Sequence, residues 1–188
     1  MNKRPIPDSS GFKPTHEQLA SFASKPEFFE LSGPGTVVRL VQYNRLAAEH
    51  LQPGGFWFEE ELMVRVKNEA RLELSRQQKQ AGRPFSTPFS SLVTLYMRHV
   101  FRNSLAVSKD WTNDFDGYMR MRLFPGDNLV ALFGTARRQP AYSTVHPQHE
   151  TVIAKNIWLE GQATQYVIDF RFPANQPYVK RIVGPLEF

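Results

Sequence analysis

Gly33-Pro34-Gly35-Thr36-Val37-Val38-Arg39-Leu40-Val41-Gln42-Tyr43 is a turn cluster that launches a β-branched run, apolar on both faces except for one central arginine. Such a run, opened by Gly-Pro-Gly, predicts a buried strand with a charge inside it. A short helical piece over 45–51 then leads to Pro53-Gly54-Gly55 and a second, aromatic strand, Phe56-Trp57-Phe58. From Glu59 to Ala81 neither glycine nor proline occurs, and Met63, Val66, Ala70 and Leu74 recur at three- and four-residue spacing, which predicts the longest helix, closed by Gly82 and Pro84. Thr87-Pro88 starts a second helix over 87–107, with Leu92, Leu95, Tyr96, His99 and Val100 as its apolar face.

Beyond residue 117 the period changes. Met119, Met121 and Leu123 alternate with Arg120 and Arg122, the pattern of a half-exposed strand, and further strands are expected over 128–134, 152–159, 164–172 and 178–183. Two strands, two helices and then a run of strands imply an α+β domain rather than a doubly wound parallel sheet. On the N-terminal side, residues 1–14 carry Pro5, Pro7, Pro14 and Ser-Ser-Gly and read as a flexible arm, with a single domain over 15–188. Thr15 and Gln18 form a capping box for a short helix over 15–24, which Pro26 stops.

The 188 residues are 41% hydrophobic and include 15 phenylalanines, enough apolar surface for a core without staples. With no cysteine, disulfides, thiolate metal sites and cysteine nucleophiles are excluded. The longest apolar runs fall far short of the ~20 residues that span a bilayer, and Met1–Gly11 lacks the apolar stretch of a secretory signal, so the chain is expected to be soluble, either cytoplasmic or exported without a signal peptide, and not to engage a membrane. A formal charge of +5 suits a polyanionic partner, but the basic residues are scattered rather than gathered in one run.

Chemistry concentrates at a few positions. A guanidinium at Arg39 needs either a structural carboxylate, such as Asp169, or a ligand phosphate held bidentately. Gly54-Gly55-Phe56-Trp57-Phe58 suits either close approach and stacking of a planar ring or ordinary core packing. Glu160-Gly161-Gln162-Ala163-Thr164-Gln165 reads as a flexible turn from which Gln165 projects, to orient a hydroxyl or water or to remain a solvated amide. Pro147 disfavours His146 and His149 as a helical metal pair, and no metal site is expected. His99 is expected as a satisfied core residue. The run Glu59-Glu60-Glu61 is either an acidic helix start explained by the macrodipole or an acidic catalytic group.

The order Arg39, Gly-Gly-Phe-Trp-Phe, helices, Gly134-Thr135-Ala136-Arg137-Arg138-Gln139 and Gly161-Gln162-Ala163-Thr164-Gln165-Tyr166 resembles the ADP-ribosyltransferase-like superfamily. It is most similar to the necrotizing-toxin type of NAD glycohydrolase. The resemblance implies split mixed or antiparallel sheets with helices inserted after the first two strands. It implies NAD as substrate, with Arg39 on its phosphate, Phe56 and Trp57 lining the nicotinamide pocket, Phe58 and Tyr166 among the NAD-contacting residues, and Gln165 near the nicotinamide ribose. Gln165 and Arg39 would carry cleavage of the nicotinamide glycosidic bond. It further implies a toxin or effector with a cognate inhibitor protein, or, in the transferase variant, a macromolecular ADP-ribose acceptor. The turn is poorer in glycine than the family's, and the E-x-E pair of arginine-modifying transferases is absent. Two other readings are a nucleic-acid-binding domain using Arg120, Arg122, Arg137 and Arg138, and an interaction module in which Arg39 pairs internally.

Overall fold

A computed structural model describes residues 1–7, 11–41, 55–105, 115, 117–140 and 158–188. Its centre is one antiparallel sheet of eight strands. In chain order the elements are β1 (Asn2–Pro5), α1 (His16–Ala20), β2 (Glu27–Ser32), β3 (Gly35–Val41), β4 (Gly55–Glu59), α2 (Glu60–Ala81), α3 (Phe89–Ser104), β5 (Gly117–Leu123), β6 (Leu129–Thr135), β7 (Gln139–Pro140), β8 (Trp158–Leu159), β9 (Thr164–Ile168), a 3-10 helix (Pro173–Arg181) and β10 (Ile182–Glu187). The strands lie in the order β1-β2-β6-β9-β4-β3-β5-β10, and β7 and β8 form a separate pair.

The sheet curls until its β1 edge approaches β3 and β4 in the middle. Met1 packs over Gly35 of β3, Lys3 Nζ reaches Glu59 of β4 at 2.8 Å, and the Gly33 amide donates to the Phe124 carbonyl at the end of β5. The concave face carries the larger core cluster, with Leu31, Val37, Trp57, Met119, Met121, Leu129, Tyr166 and Ile168. The convex face is covered in two places. Val38 and Phe58 pack under α2 and α3 through Met63, Val66, Ala70, Val93, Met97 and Phe101. Phe28, Val130, Leu132 and Val167 pack under the segment carrying Phe12 and Phe22.

The α+β class and the run of strands after the helix pair agree with the expectation, but four strands rather than two precede that pair, and they join the later strands in one continuous sheet rather than split ones. The capping box also forms, with the Gln18 amide donating to Thr15 Oγ1 and the Thr15 amide to Gln18 Oε1. The differences have physical causes. Asn2–Pro5 is a strand, not an arm, because backbone pairing with β2 and the Lys3–Glu59 contact outweigh its proline content. Glu27-Phe28-Phe29-Glu30-Leu31-Ser32 is a strand between two helix-breaking turns. The stretch 173–181 forms a 3-10 helix rather than the start of a strand, since Pro173 opens it and Pro177 withholds a ladder donor. In α3 the buried residues are Val93, Met97 and Phe101, while Leu95 and His99 are exposed, so His99 is not a core residue. Pro88 caps α3 rather than occupying its first turn. The expected helical piece over 45–51, His146 and His149, and the stretch 152–157 lie outside the described residues.

Asn175 closes the sheet where β9 ends. Beyond Ile168 no strand remains to pair with Val130, and the buried Asn175 side chain substitutes for one. Its Oδ1 accepts from the Val130 amide at 2.9 Å, and its Nδ2 donates to the Val130 and Asp169 carbonyls at 2.8 and 3.0 Å. One amide thus satisfies three backbone groups that burial would otherwise strand. No described helix is long and apolar enough to cross a membrane.

Candidate functional site

Strand alternation sorts the singled-out residues between the two faces of the sheet. Val37 and Val41 belong to the concave interior, so Arg39 between them projects to the same side. Across the ladder, Gly55, Trp57 and Glu59 of β4 share that side. The contact is direct: a β-carbon at position 55 would collide with Nη1 and Cζ of Arg39, so the absent side chain of Gly55 is the space in which the guanidinium lies. Burial there lowers the Arg39 pKa from its ordinary value to about 10. Asp169, the structural carboxylate considered for it, is engaged by Arg171, whose Nη2 and backbone amide each donate to it at 2.8 Å.

Trp57 and Tyr166 stand opposite one another on β4 and β9, also on the concave side. Both are fully buried, and Trp57 meets Phe170 edge-on at 5.8 Å. The Trp57 indole Nε1 is buried without a hydrogen-bond partner among the described residues. The Tyr166 hydroxyl donates to Glu59 Oε1 at 2.6 Å, and the same carboxylate oxygen receives Lys3. Burial alone would raise the Glu59 pKa, but hydrogen bonds from Lys3 and Tyr166 reverse this and hold it below the ordinary carboxyl value. Burial, followed by the Glu59 hydrogen bond, pushes the Tyr166 phenol upward. Lys3 also sits 4.6 Å from the centre of the Phe133 ring, so a carboxylate, a phenol, an ammonium and an aromatic face make one cluster.

Gln165 is elsewhere. It shares the convex side with Val167, is 3% exposed, and its Nε2 donates to the Ser21 carbonyl at 3.4 Å. The thickness of the sheet separates it from Arg39, so the two residues do not converge on one ligand. Nor does the turn before it hang free. The amides of Glu160, Gly161, Gln162 and Ala163 donate to Asn103 Oδ1 and to the Asn103, Ala136 and Ser104 carbonyls, all at 2.9–3.0 Å. Gly161 is required there: its φ is +71°, and a β-carbon would strike the Ala136 carbonyl oxygen. The expected mobile turn is a fixed one.

Phe56 and Phe58 likewise point away from Arg39. Phe58 is core beneath the helices, 5.2 Å from the Phe101 ring, and Phe56 packs with the cluster under Phe12. Of the six residues singled out, Arg39, Trp57 and Tyr166 share a face, whereas Gln165, Phe56 and Phe58 occupy the other. Glu59 and Lys3 join the first group. Glu59 reads as the opening of the acidic helix start, yet it is the last residue of β4, two positions on from Trp57, and alternation from Gly55 is the signal that would have found it. The described surface depressions lie away from Arg39, beside Val64 and Leu72 of α2 and around Pro84 and Phe89. Among the described residues, no cluster of three or more histidine, aspartate or glutamate residues could hold a metal.

Compared with known proteins, the chain matches no family model, no curated protein and no solved structure.

Proposed function

We propose that the chain binds NAD⁺ by a phosphate at Arg39 and hydrolyses its nicotinamide glycosidic bond, as an enzyme of the ADP-ribosyltransferase-like type. The observation that carries the phosphate part is the Arg39 guanidinium held over Gly55 with its pKa driven down by burial. The planar guanidinium fork suits phosphate oxygens, which it can hold bidentately. The Trp57 indole Nε1 on the same face, buried without a partner among the described residues, supports an anion-facing role. The cleavage part rests on the order of sequence motifs.

The chemistry asks little of an acid, because cationic nicotinamide is a good leaving group. An oxocarbenium-like centre instead needs a fixed substrate and a nearby negative charge. Gln165, across the sheet, has the structural task of binding the Ser21 carbonyl. Glu59 is the ionised carboxylate on Arg39's own face and takes the charge-stabilising part. The test is nicotinamide release from NAD⁺ by the full chain, with Arg39→Lys, Gly55→Ala and Glu59→Gln alongside. Arg39→Lys keeps the charge and loses the fork; Gly55→Ala displaces the guanidinium without deleting it. Both should reduce release at least tenfold while circular dichroism is unchanged. Release at wild-type rates in both variants, or none from the wild type, would sink the assignment.

A further inference from the structure

We propose that the exposed edge formed by Arg122, Phe124 and Arg181 is a binding site for single-stranded nucleic acid, separate from the Arg39 face. The antiparallel register of β5 and β10, with Ile182 opposite Met121 and Val183 opposite Arg120, carries Arg181 to the position across from Arg122. Like charges placed directly across a strand pair repel. Here both guanidinium carbons lie 5.3 Å from the centre of one ring, Phe124, and Arg181 also lies 5.1 Å from the Tyr178 ring. Phe124 itself is 46% exposed. One carboxylate serves the pair: Asp127 binds Arg181 and also accepts from the Phe124 amide at 2.7 Å. Among the described residues no carboxylate pairs with Arg122.

Two cations, one anion and a solvent-facing ring are what a phosphodiester and its base would complete. A phosphate between the guanidinia removes their repulsion, and guanidinium planes and the phenyl ring are surfaces on which a base stacks. Stacking needs an unoccupied base face, which a single strand offers and a duplex does not. Lys180, next to Arg181 in the chain, is exposed as well, whereas Arg120 lies 4.0 Å from Glu60. Arg137 and Arg138, the other basic pair of the sequence, follow β6 and precede β7, and Arg138 pairs with Glu160 at 3.5 Å, so they are not part of this edge.

The experiment is fluorescence polarisation of a labelled oligothymidylate with the full chain over a salt series, comparing wild type, Arg122→Ala, Phe124→Leu, Arg39→Ala and Arg65→Ala. Arg65 is an exposed arginine of α2 and controls for net charge. Two neutralised phosphates predict a log–log salt slope of about −1.4, reduced by about 0.7 in Arg122→Ala. Phe124→Leu should weaken binding on the order of tenfold with the slope unchanged, since it removes stacking and no charge. Arg39→Ala and Arg65→Ala should bind as wild type does, which keeps this site distinguishable from the NAD⁺ reading. Equal losses in Arg65→Ala and Arg122→Ala, duplex binding as tight as single-strand binding, full retention in Phe124→Leu, or no oligonucleotide binding by the wild type would each overturn it.

Discussion

Replacing Arg39 by methionine distinguishes a guanidinium kept for a ligand from one that holds the fold together. Methionine preserves the unbranched stem and removes the charge. A pKa lowered to about 10 from the ordinary guanidinium range corresponds, at about 1.4 kcal/mol per pH unit, to roughly 3 kcal/mol spent in keeping Arg39 protonated within the fold. Solvent screening at its partly exposed edge trims this to about 1–3 kcal/mol. The sign follows from the direction. The folded protein holds this proton less tightly than the unfolded chain, so the cost is complete below about pH 10 and fades as pH rises from there toward the ordinary guanidinium value. Burial alone therefore favours the methionine variant at pH 7 by up to about 3 kcal/mol, which loss of the contact Arg39 makes within the fold offsets, while NAD⁺ binding is lost. Urea unfolding followed by circular dichroism, with titration calorimetry for NAD⁺, measures both. A loss of about 3–5 kcal/mol would show that Arg39 holds the fold through an internal ion pair, and the phosphate reading would fall with it.

Two further substitutions probe the frame around that face. Asn175→Ala leaves the amide and carbonyl of Val130 and the carbonyl of Asp169 without their partner; at about 1–3 kcal/mol for each buried group, partly recovered by relaxation, a destabilisation of about 3–5 kcal/mol is expected. The Val130 amide should then lose its hydrogen-exchange protection first, and a loss under about 1 kcal/mol would mean that the side chain does not stand in for a strand. Glu59→Gln tests the Lys3–Glu59–Tyr166 cluster. A carboxyl held below its ordinary value of 4.5 stabilises the fold above that pH and stops doing so as pH falls through the folded value. Wild type should lose more stability on acidification below 4.5 than the variant does, and parallel curves would refute the coupling.

The parts of this fold that depend on local chemistry were legible. The α2 spacing of Met63, Val66, Ala70 and Leu74, the Thr15–Gln18 box, and the alternation of Met119, Met121 and Leu123 each state a periodicity or a cap that tertiary structure does not override. The parts that depend on distant partners were not. Residues 2–5 look like an arm until β2 supplies backbone groups and Glu59 supplies a counter-charge for Lys3. The turn at 160–163 looks mobile because its anchors, Asn103, Ser104 and Ala136, lie far away in the chain. Composition describes what a segment can do alone, and these segments do not act alone.

The candidate site shows a sharper version of the same separation. Motif order along a chain says which residues follow one another, whereas a site in a sheet also requires that they share a face. That condition is one of parity: Arg39, Gly55, Trp57, Glu59 and Tyr166 fall on one side, and Phe56, Phe58 and Gln165 on the other. A one-residue shift in the pairing of β9 would exchange Tyr166 for Gln165 on the Arg39 side. The register that decides it, Trp57 opposite Tyr166 and Gly134 opposite Gln165, is set by the burial of Tyr166 and Ile168 in one interior and Val167 in another. On the proposed reading a ligand at Arg39 shares its face with Glu59 and not with Gln165, so Gln165→Ala should leave nicotinamide release intact where Glu59→Gln abolishes it.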